Sequence, residues 1–171
     1  MTTGGTPAPA EAIHRGLRAG GIDVAVYLPE SVLGHAMALV EADEAITSIV
    51  CAREDEGVAI AAGAALAGRT PVVLMEGSGL GLSGLILART LVHHVPLLVL
   101  ASHNRVLGES KAFHAATNLA GQATLDGLNI PYLVVTDAGD LESWVEQAAV
   151  TARAQHTVVA LLVAPYVMGA G

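Results

Sequence analysis

Two short segments of the chain combine residue types that could do chemistry. The first is the charged run Arg53-Glu54-Asp55-Glu56, which follows an apolar stretch and precedes an Ala-rich one. Carboxylates in such a place could act as general acids or bases. They are also the residues that the positive end of a helix dipole favours in the first turn of a helix. The run by itself supports both interpretations.

The second segment is the glycine-rich stretch Glu76-Gly77-Ser78-Gly79-Leu80-Gly81. Glycines lack a Cβ and therefore allow the backbone to come close to a flat ligand, although they also suit a simple turn before a helix. The segment lacks the Lys and Ser/Thr of a Walker loop, and it does not follow the first strand, as a dinucleotide fingerprint would. It is therefore not predicted to be a phosphate loop.

An alternation of strand and helix patterns positions these segments. Strands are predicted at residues 23–28, 45–51, 71–75, 96–102, 132–136 and 157–163. Helices are predicted at residues 7–19, 31–42, 54–68, 79–92 and 140–154. Six such units predict an α/β fold with a single doubly wound domain over residues 1–171, whose six-stranded, mostly parallel sheet is flanked by helices. Residues 1–6 are expected to be flexible.

The predicted sheet indicates where ligands should bind. In open parallel sheets they gather at the carboxyl ends of the strands, so the informative loops follow residues 28, 51, 75 and 101. A polar segment, residues 104–119, breaks the alternation there. Ser31 is predicted to cap the helix that follows the first strand. Residues 58–67 have no polar face, so their helix is expected to be buried all round.

Composition restricts the class of protein. Apolar residues make up 53% of the chain and charged residues 14%, with a mean hydropathy of +0.56. We therefore expect some apolar surface to contact another subunit. A net charge of −8 argues against nucleic acid as a partner. The lack of a long apolar stretch and the single cysteine, Cys51, predict a soluble cytoplasmic protein without a membrane partner.

Taken in order, several segments resemble the pyrimidine-binding domain of thiamine-diphosphate enzymes, particularly the alpha subunits of sulfopyruvate and phosphonopyruvate decarboxylases. The resemblance depends on residues 27–31, on residues 53–57 with Gly63, on residues 78–81, and on residues 95–98 leading to Ser102-His103.

This resemblance implies thiamine diphosphate as cofactor and a role for Glu54, which stands nine positions before Gly63. Its carboxyl group would hydrogen-bond the aminopyrimidine ring nitrogen and promote loss of the thiazolium carbon's proton. The resemblance also implies further site residues in three groups. The catalytic group adds His103 and His114; the cofactor-binding group adds Pro29, Ser31, Gly77, Ser78, Gly79, Leu80 and Gly81; and the substrate group is Ser31, Glu76 and His103.

The family's magnesium-diphosphate motif is missing from the sequence. The resemblance therefore implies that a diphosphate-binding beta subunit supplies the Mg²⁺ ligands, in a heterotetramer or a larger assembly that decarboxylates a 2-oxo acid. Two alternatives stay open: a carboligase subunit, or a non-catalytic pseudo-subunit that positions a partner.

The chain departs from the family pattern beside the glycine-rich stretch. Family members usually have Gln-Asn before it and Asn after it, where this chain has Glu76-Gly77 and Leu82. If Glu76 faces the substrate, its charge would repel a sulfonate or phosphonate group. A less charged 2-oxo acid is therefore expected.

Overall fold

A computed structural model of the protein describes residues 9–104 and 111–169, so the expected flexibility of residues 1–6 and the first part of the polar segment lie outside the described residues. The helices are α1 (Pro9–Ala19), α2 (Gly34–Glu41), α3 (Glu54–Leu66), α4 (Ser78–Leu82), α5 (Gly84–Val92), α6 (Ala112–Gly127) and α7 (Leu141–Gln155). The strands are β1 (Val24–Tyr27), β2 (Thr47–Val50), β3 (Pro71–Met75), β4 (Leu97–Ser102), β5 (Tyr132–Val135) and β6 (Val158–Val163).

The six strands form one sheet in the order β2-β1-β3-β4-β6-β5, and every pairing is parallel. The predicted α/β class with a six-stranded, helix-flanked sheet is confirmed. The central strands β3, β4 and β6 are wholly buried, as expected of apolar strands covered on both faces. The edge strands β2 and β5 are partly exposed.

Successive side chains of each strand point to opposite faces, so the sheet carries two cores. Ala25 and Tyr27 belong to the core beneath α1, α2 and α7. Val24 and Val26 belong to the core beneath α3, α4, α5 and α6. The helices that bear the acidic run and the glycine-rich stretch therefore lie on the same face of the sheet.

The structure corrects two predicted elements. The helix predicted over residues 79–92 is interrupted at Ser83 and forms the two helices α4 and α5; glycines weaken the helix at this point. No helix is predicted from the sequence in the polar segment, but α6 begins there at Ala112. This helix is stabilised by tertiary packing, because the missing Cβ of Gly121 lets it approach the carbonyl oxygen of Gly77.

The expectation that residues 58–67 are buried all round is wrong for this chain alone. Val58 and Ala61 are buried, but Leu66 at the end of α3 is 73% exposed. Other apolar side chains exposed on the same helical layer are Leu82, Leu85, Val92, Phe113 and Leu119. We call this layer, formed by α3, α4, α5 and α6, the apolar layer. In the residues that the structure describes, no helix is long and apolar enough to cross a membrane.

Replacing Gly16 by alanine should destabilise the protein, because α1 packs on α7 at this glycine. An added Cβ would lie 2.5 Å from the Glu142 carbonyl oxygen and 2.8 Å from Val145 Cβ. Overpacking of this kind costs about 1–3 kcal/mol. We expect the free energy of unfolding in urea to fall by about 1–2 kcal/mol, since alanine's higher helix propensity returns part of that cost.

Gly63→Ala in α3 is the matched control. An added Cβ there meets no atom within 4 Å. Alanine at this position should leave the stability of the isolated chain unchanged or raise it by up to about 1 kcal/mol. Equal urea midpoints for the two variants would contradict the packing argument.

Candidate active site

The carboxyl ends of four adjacent strands bring most of the predicted site residues to one edge of the sheet. Pro29 and Ser31 follow β1, Glu54 follows β2, the glycine-rich stretch follows β3, and His103 follows β4. These strands are neighbours in the order β2-β1-β3-β4. The loops that sequence reasoning selected are therefore next to one another, as expected for a parallel sheet.

The three acids of the charged run have different surroundings. Asp55 accepts two hydrogen bonds from the Arg53 guanidinium, each 3.0 Å long, which lower the pKa of the Asp55 carboxyl. Glu56 accepts the N–H of Ala52 at 3.0 Å and so binds the backbone that precedes its own helix. The Glu54 carboxylate makes no hydrogen bond to any described residue. Of the three acids, Glu54 is the one without such a bond among the described residues.

Glu54 lies against the glycine-rich stretch. A Cβ at Gly79 would be 2.5 Å from Glu54 Cγ, 2.6 Å from Glu54 Cβ and 2.8 Å from Met75 Sδ. No side chain larger than hydrogen fits at Gly79 while Glu54 keeps its position. The absence of a Cβ at Gly79 therefore leaves room for the Glu54 side chain between α4 and the half-buried start of α3.

The neighbouring glycines also serve contacts within the chain. A Cβ at Gly77 would lie 2.6 Å from the Ser102 carbonyl oxygen, and one at Gly81 would lie 2.7 Å from Ala120 Cβ. The sequence predicted that these glycines let the backbone approach a flat ligand. It did not reveal a second reason for them. They allow β4 and α6 to pack closely on the loop. Binding of the cofactor by residues 77–81 stays a prediction.

Helix α6 completes this edge, and sequence reasoning missed its contribution. A small cavity between α6 and the glycine-rich stretch is lined by Gly77, Leu80, Ser102, His103, Thr117, Gly121, Gln122 and Leu162. The adjacent small residues Ala120 and Gly121 were the available signal, since they indicate a close helix contact. His103 is buried beside this cavity. His114, in the first turn of α6, is half-buried, and its ring makes a T-shaped contact with the ring of Phe113.

Glu30 is a second residue that sequence reasoning missed. Its carboxylate accepts the N–H of Val32 at 2.8 Å and the N–H of Leu33. Ser31, which was predicted to cap α2, is exposed and does not do so; the helix begins at Gly34, and Glu30 binds the backbone before it. The Glu30 side chain is longer than that of Ser31 and reaches forward over the turn to these N–H groups.

The surroundings of Glu30 act on its pKa in both directions. Burial raises the pKa of the Glu30 carboxyl most, and the charge of Glu76 raises it further. The backbone N–H groups and the Ser102 hydroxyl lower it, and the net direction is upward. Glu30, Glu76 and Ser102 therefore share one electrostatic environment.

The site fits part of the cofactor implied by the resemblance. The Glu54 carboxylate, positioned by the contact of its side chain with Gly79, suits a heterocycle with a hydrogen-bonding nitrogen. Among the described residues, however, no three His, Cys, Asp or Glu side chains cluster so as to hold a metal ion. Cys51 is buried, and burial raises the pKa of its thiol, so it is not an activated nucleophile.

The sequence of the chain is similar to those of known proteins. Residues 9–126 match the family model of the thiamine pyrophosphate enzyme, N-terminal TPP binding domain. The chain is 40% identical to sulfopyruvate decarboxylase subunit alpha of Methanothermobacter thermautotrophicus over 71% of its length and 72% of the relative's. It is 30% identical to the protein of the same name from Methanococcus maripaludis over 72% of its length and 74% of the relative's.

A solved structure has the same fold. It is 2-oxoglutarate:ferredoxin oxidoreductase from Magnetococcus marinus, with 2-oxoglutarate, coenzyme A and succinyl-CoA bound. The TM-score is 0.73 and the identity 19%, and the match covers 95% of this chain and 29% of the other. The fold described above thus corresponds to a limited part of a larger protein.

Proposed function

Since the chain belongs to the family of N-terminal TPP binding domains of thiamine pyrophosphate enzymes, we propose that it is the alpha subunit of a heteromeric, thiamine-diphosphate-dependent, non-oxidative 2-oxo-acid decarboxylase. The observation that carries this proposal is the position of Glu54 against Gly79. The names of the alpha-subunit relatives support both the reaction and the need for a second subunit. We further propose that residues 1–171 form a single pyrimidine-binding domain.

In this proposal Glu54 binds and activates the pyrimidine ring. Its carboxyl group hydrogen-bonds the ring nitrogen and exchanges a proton there, which an acid group can do and an amide cannot. The position of the side chain is set by α3 on one side and by Gly79 on the other. When bound, the cofactor supplies the electron sink that allows a 2-oxo acid to lose carbon dioxide.

The other predicted site residues surround the substrate or the cofactor. His103 and His114 are proposed to transfer protons to and from the substrate, because they lie on the elements that enclose the glycine-rich stretch. Pro29, Ser31 and the backbone of residues 77–81 are proposed to contact the cofactor.

A diphosphate-binding beta subunit is proposed to complete the site. It would bring the ligands of Mg²⁺, which prefers octahedral oxygen coordination that includes phosphate oxygens. The apolar layer, with Leu66 73% exposed, supports a contact with another chain. A heterotetramer or larger assembly would bury that surface and exclude water from the reacting groups.

The isolated chain should bind thiamine diphosphate poorly. We expect no saturable heat in isothermal titration calorimetry with Mg²⁺ and micromolar cofactor, because this chain is proposed to hold only the pyrimidine end. Adding the purified beta subunit should produce tight, magnesium-dependent binding. Thiamine lacking its diphosphate is the control ligand, and it should bind the complex much more weakly.

Tight, magnesium-dependent binding by the isolated chain would contradict the division of the site between two subunits. Tight binding by the complex without carbon dioxide release from any 2-oxo acid would contradict the decarboxylase assignment instead.

A further inference from the structure

Two carboxylates, Glu30 and Glu76, follow the neighbouring strands β1 and β3. The two strands are paired with Tyr27 opposite Leu74, so Glu30 and Glu76 follow their strands at the same edge of the sheet. The charge of Glu76 acts directly on Glu30, whose pKa it raises. Both residues are half-buried, where water screens charge less than at the surface.

Glu30 holds its charge in a fixed place. Both of its carboxylate oxygens accept backbone N–H groups, from Val32 and Leu33. These bonds lower the pKa of the Glu30 carboxyl against the larger effect of burial, and they keep the side chain from turning out to solvent. A substrate group on this side of the glycine-rich stretch would therefore meet a carboxyl group that cannot move away.

Ser102 lies at the same edge of the sheet as Glu30 and Glu76. It ends β4, next to β3, with Met75 paired to Ala101. The side chain is 1% exposed, and its Oγ makes no well-formed hydrogen bond to any described residue. Its hydroxyl nevertheless lowers the pKa of Glu30 and so lies on the Glu30 side. With its proton directed to Glu30, the buried Ser102 oxygen could still accept a hydrogen bond from a polar ligand atom.

We propose that Glu30 and Glu76 are specificity-determining residues that select 2-oxo acids without a second negative charge, with the Ser102 hydroxyl beside them. This inference rests on the proposed function. Sulfopyruvate carries both a carboxylate and a sulfonate, and the sulfonate would be repelled by two carboxylates. Arg53, the cation of the acidic run, is paired with Asp55. The substrate class is a 2-oxo acid with an uncharged or cationic side chain.

The test compares substrates on the enzyme reconstituted from this chain and its beta subunit. The kcat/KM for carbon dioxide release is measured with sulfopyruvate and with 2-oxobutyrate, an uncharged-tail probe. The wild-type enzyme should prefer 2-oxobutyrate. Glu76→Gln should shift the ratio of the two kcat/KM values toward sulfopyruvate by about tenfold, the discrimination of one like-charge contact. Glu30→Gln should shift it in the same direction.

Glu44→Gln is the matched control. Glu44 is exposed between α2 and β2, away from the carboxyl ends of the strands. Its loss changes the net charge equally and should leave the ratio unchanged. A wild-type preference for sulfopyruvate, or a ratio that does not respond to Glu76→Gln, would overturn the inference and leave the decarboxylase proposal standing. Absence of carbon dioxide release from every 2-oxo acid would instead remove the proposed function, and this inference with it.

Discussion

Replacing Glu54 by glutamine is expected to lower kcat for decarboxylation by about two to four orders of magnitude, the usual contribution of a positioned acid–base group. An amide has the same size but cannot exchange the proton at the pyrimidine nitrogen. The direct measurement is hydrogen–deuterium exchange at the cofactor's thiazolium carbon in the assembled complex. We expect this exchange to slow in parallel with turnover, while assembly and cofactor binding stay close to wild type.

Glu56→Gln is the control for Glu54→Gln, because it removes a carboxylate from the same helical turn. Glu56 binds the N–H of Ala52, and a glutamine can still accept that hydrogen bond through its amide oxygen. Exchange and turnover should therefore change little. If Glu56→Gln slowed the exchange more than Glu54→Gln did, the activating carboxylate would be two residues further along the chain.

Replacing Gly79 by alanine is expected to lower kcat by about a hundredfold without unfolding the chain. The added Cβ would stand 2.5 Å from Glu54 Cγ, 2.6 Å from Glu54 Cβ and 2.8 Å from Met75 Sδ, so α3 and α4 must move apart and displace Glu54. Displacement of a reacting group by about 1 Å can cost about 10²-fold in rate. Kinetics of carbon dioxide release on the reconstituted enzyme, together with urea unfolding of the variant, measure the two effects separately.

Two further variants test whether Gly79 acts through Glu54. Gly84→Ala introduces the same methyl group nearby, but its Cβ would lie 3.5 Å from Thr124 Cγ2, an ordinary contact, so activity should persist. The double variant with Glu54→Gln and Gly79→Ala should be no slower than Glu54→Gln alone, because the displaced carboxylate is already absent. Additive losses in the double variant would show that Gly79 acts on the cofactor directly.

Much of the architecture could be predicted because it depends on local patterns. Apolar runs such as β3 and β4 alternate with helical segments, and this alternation admits a parallel sheet with helices on both faces. The same pattern directed attention to the loops at the carboxyl ends of the strands. The acidic run and the glycine-rich stretch were therefore located correctly, and the family resemblance selected Glu54 from its spacing to Gly63.

Other features depend on contacts between residues far apart in sequence. Helix α6 has no strong apolar period and forms where Gly121 meets the backbone of Gly77. Exposure of the α3 surface could not be predicted either. The sequence pattern of an apolar helix is the same whether its own chain or another chain covers the helix.

The sequence by itself thus determined the fold class, the edge of the sheet that carries the site and the residue types available there. The tertiary structure decided how those residues differ. In the folded chain Asp55 binds Arg53 and Glu56 binds the backbone of Ala52, whereas Glu54 lies against Gly79. It also placed Glu30 and Glu76 at the same edge of the sheet, after two paired strands. The physical reason is that availability and charge environment are set by neighbours across the sheet, and these are known only when the strands are paired.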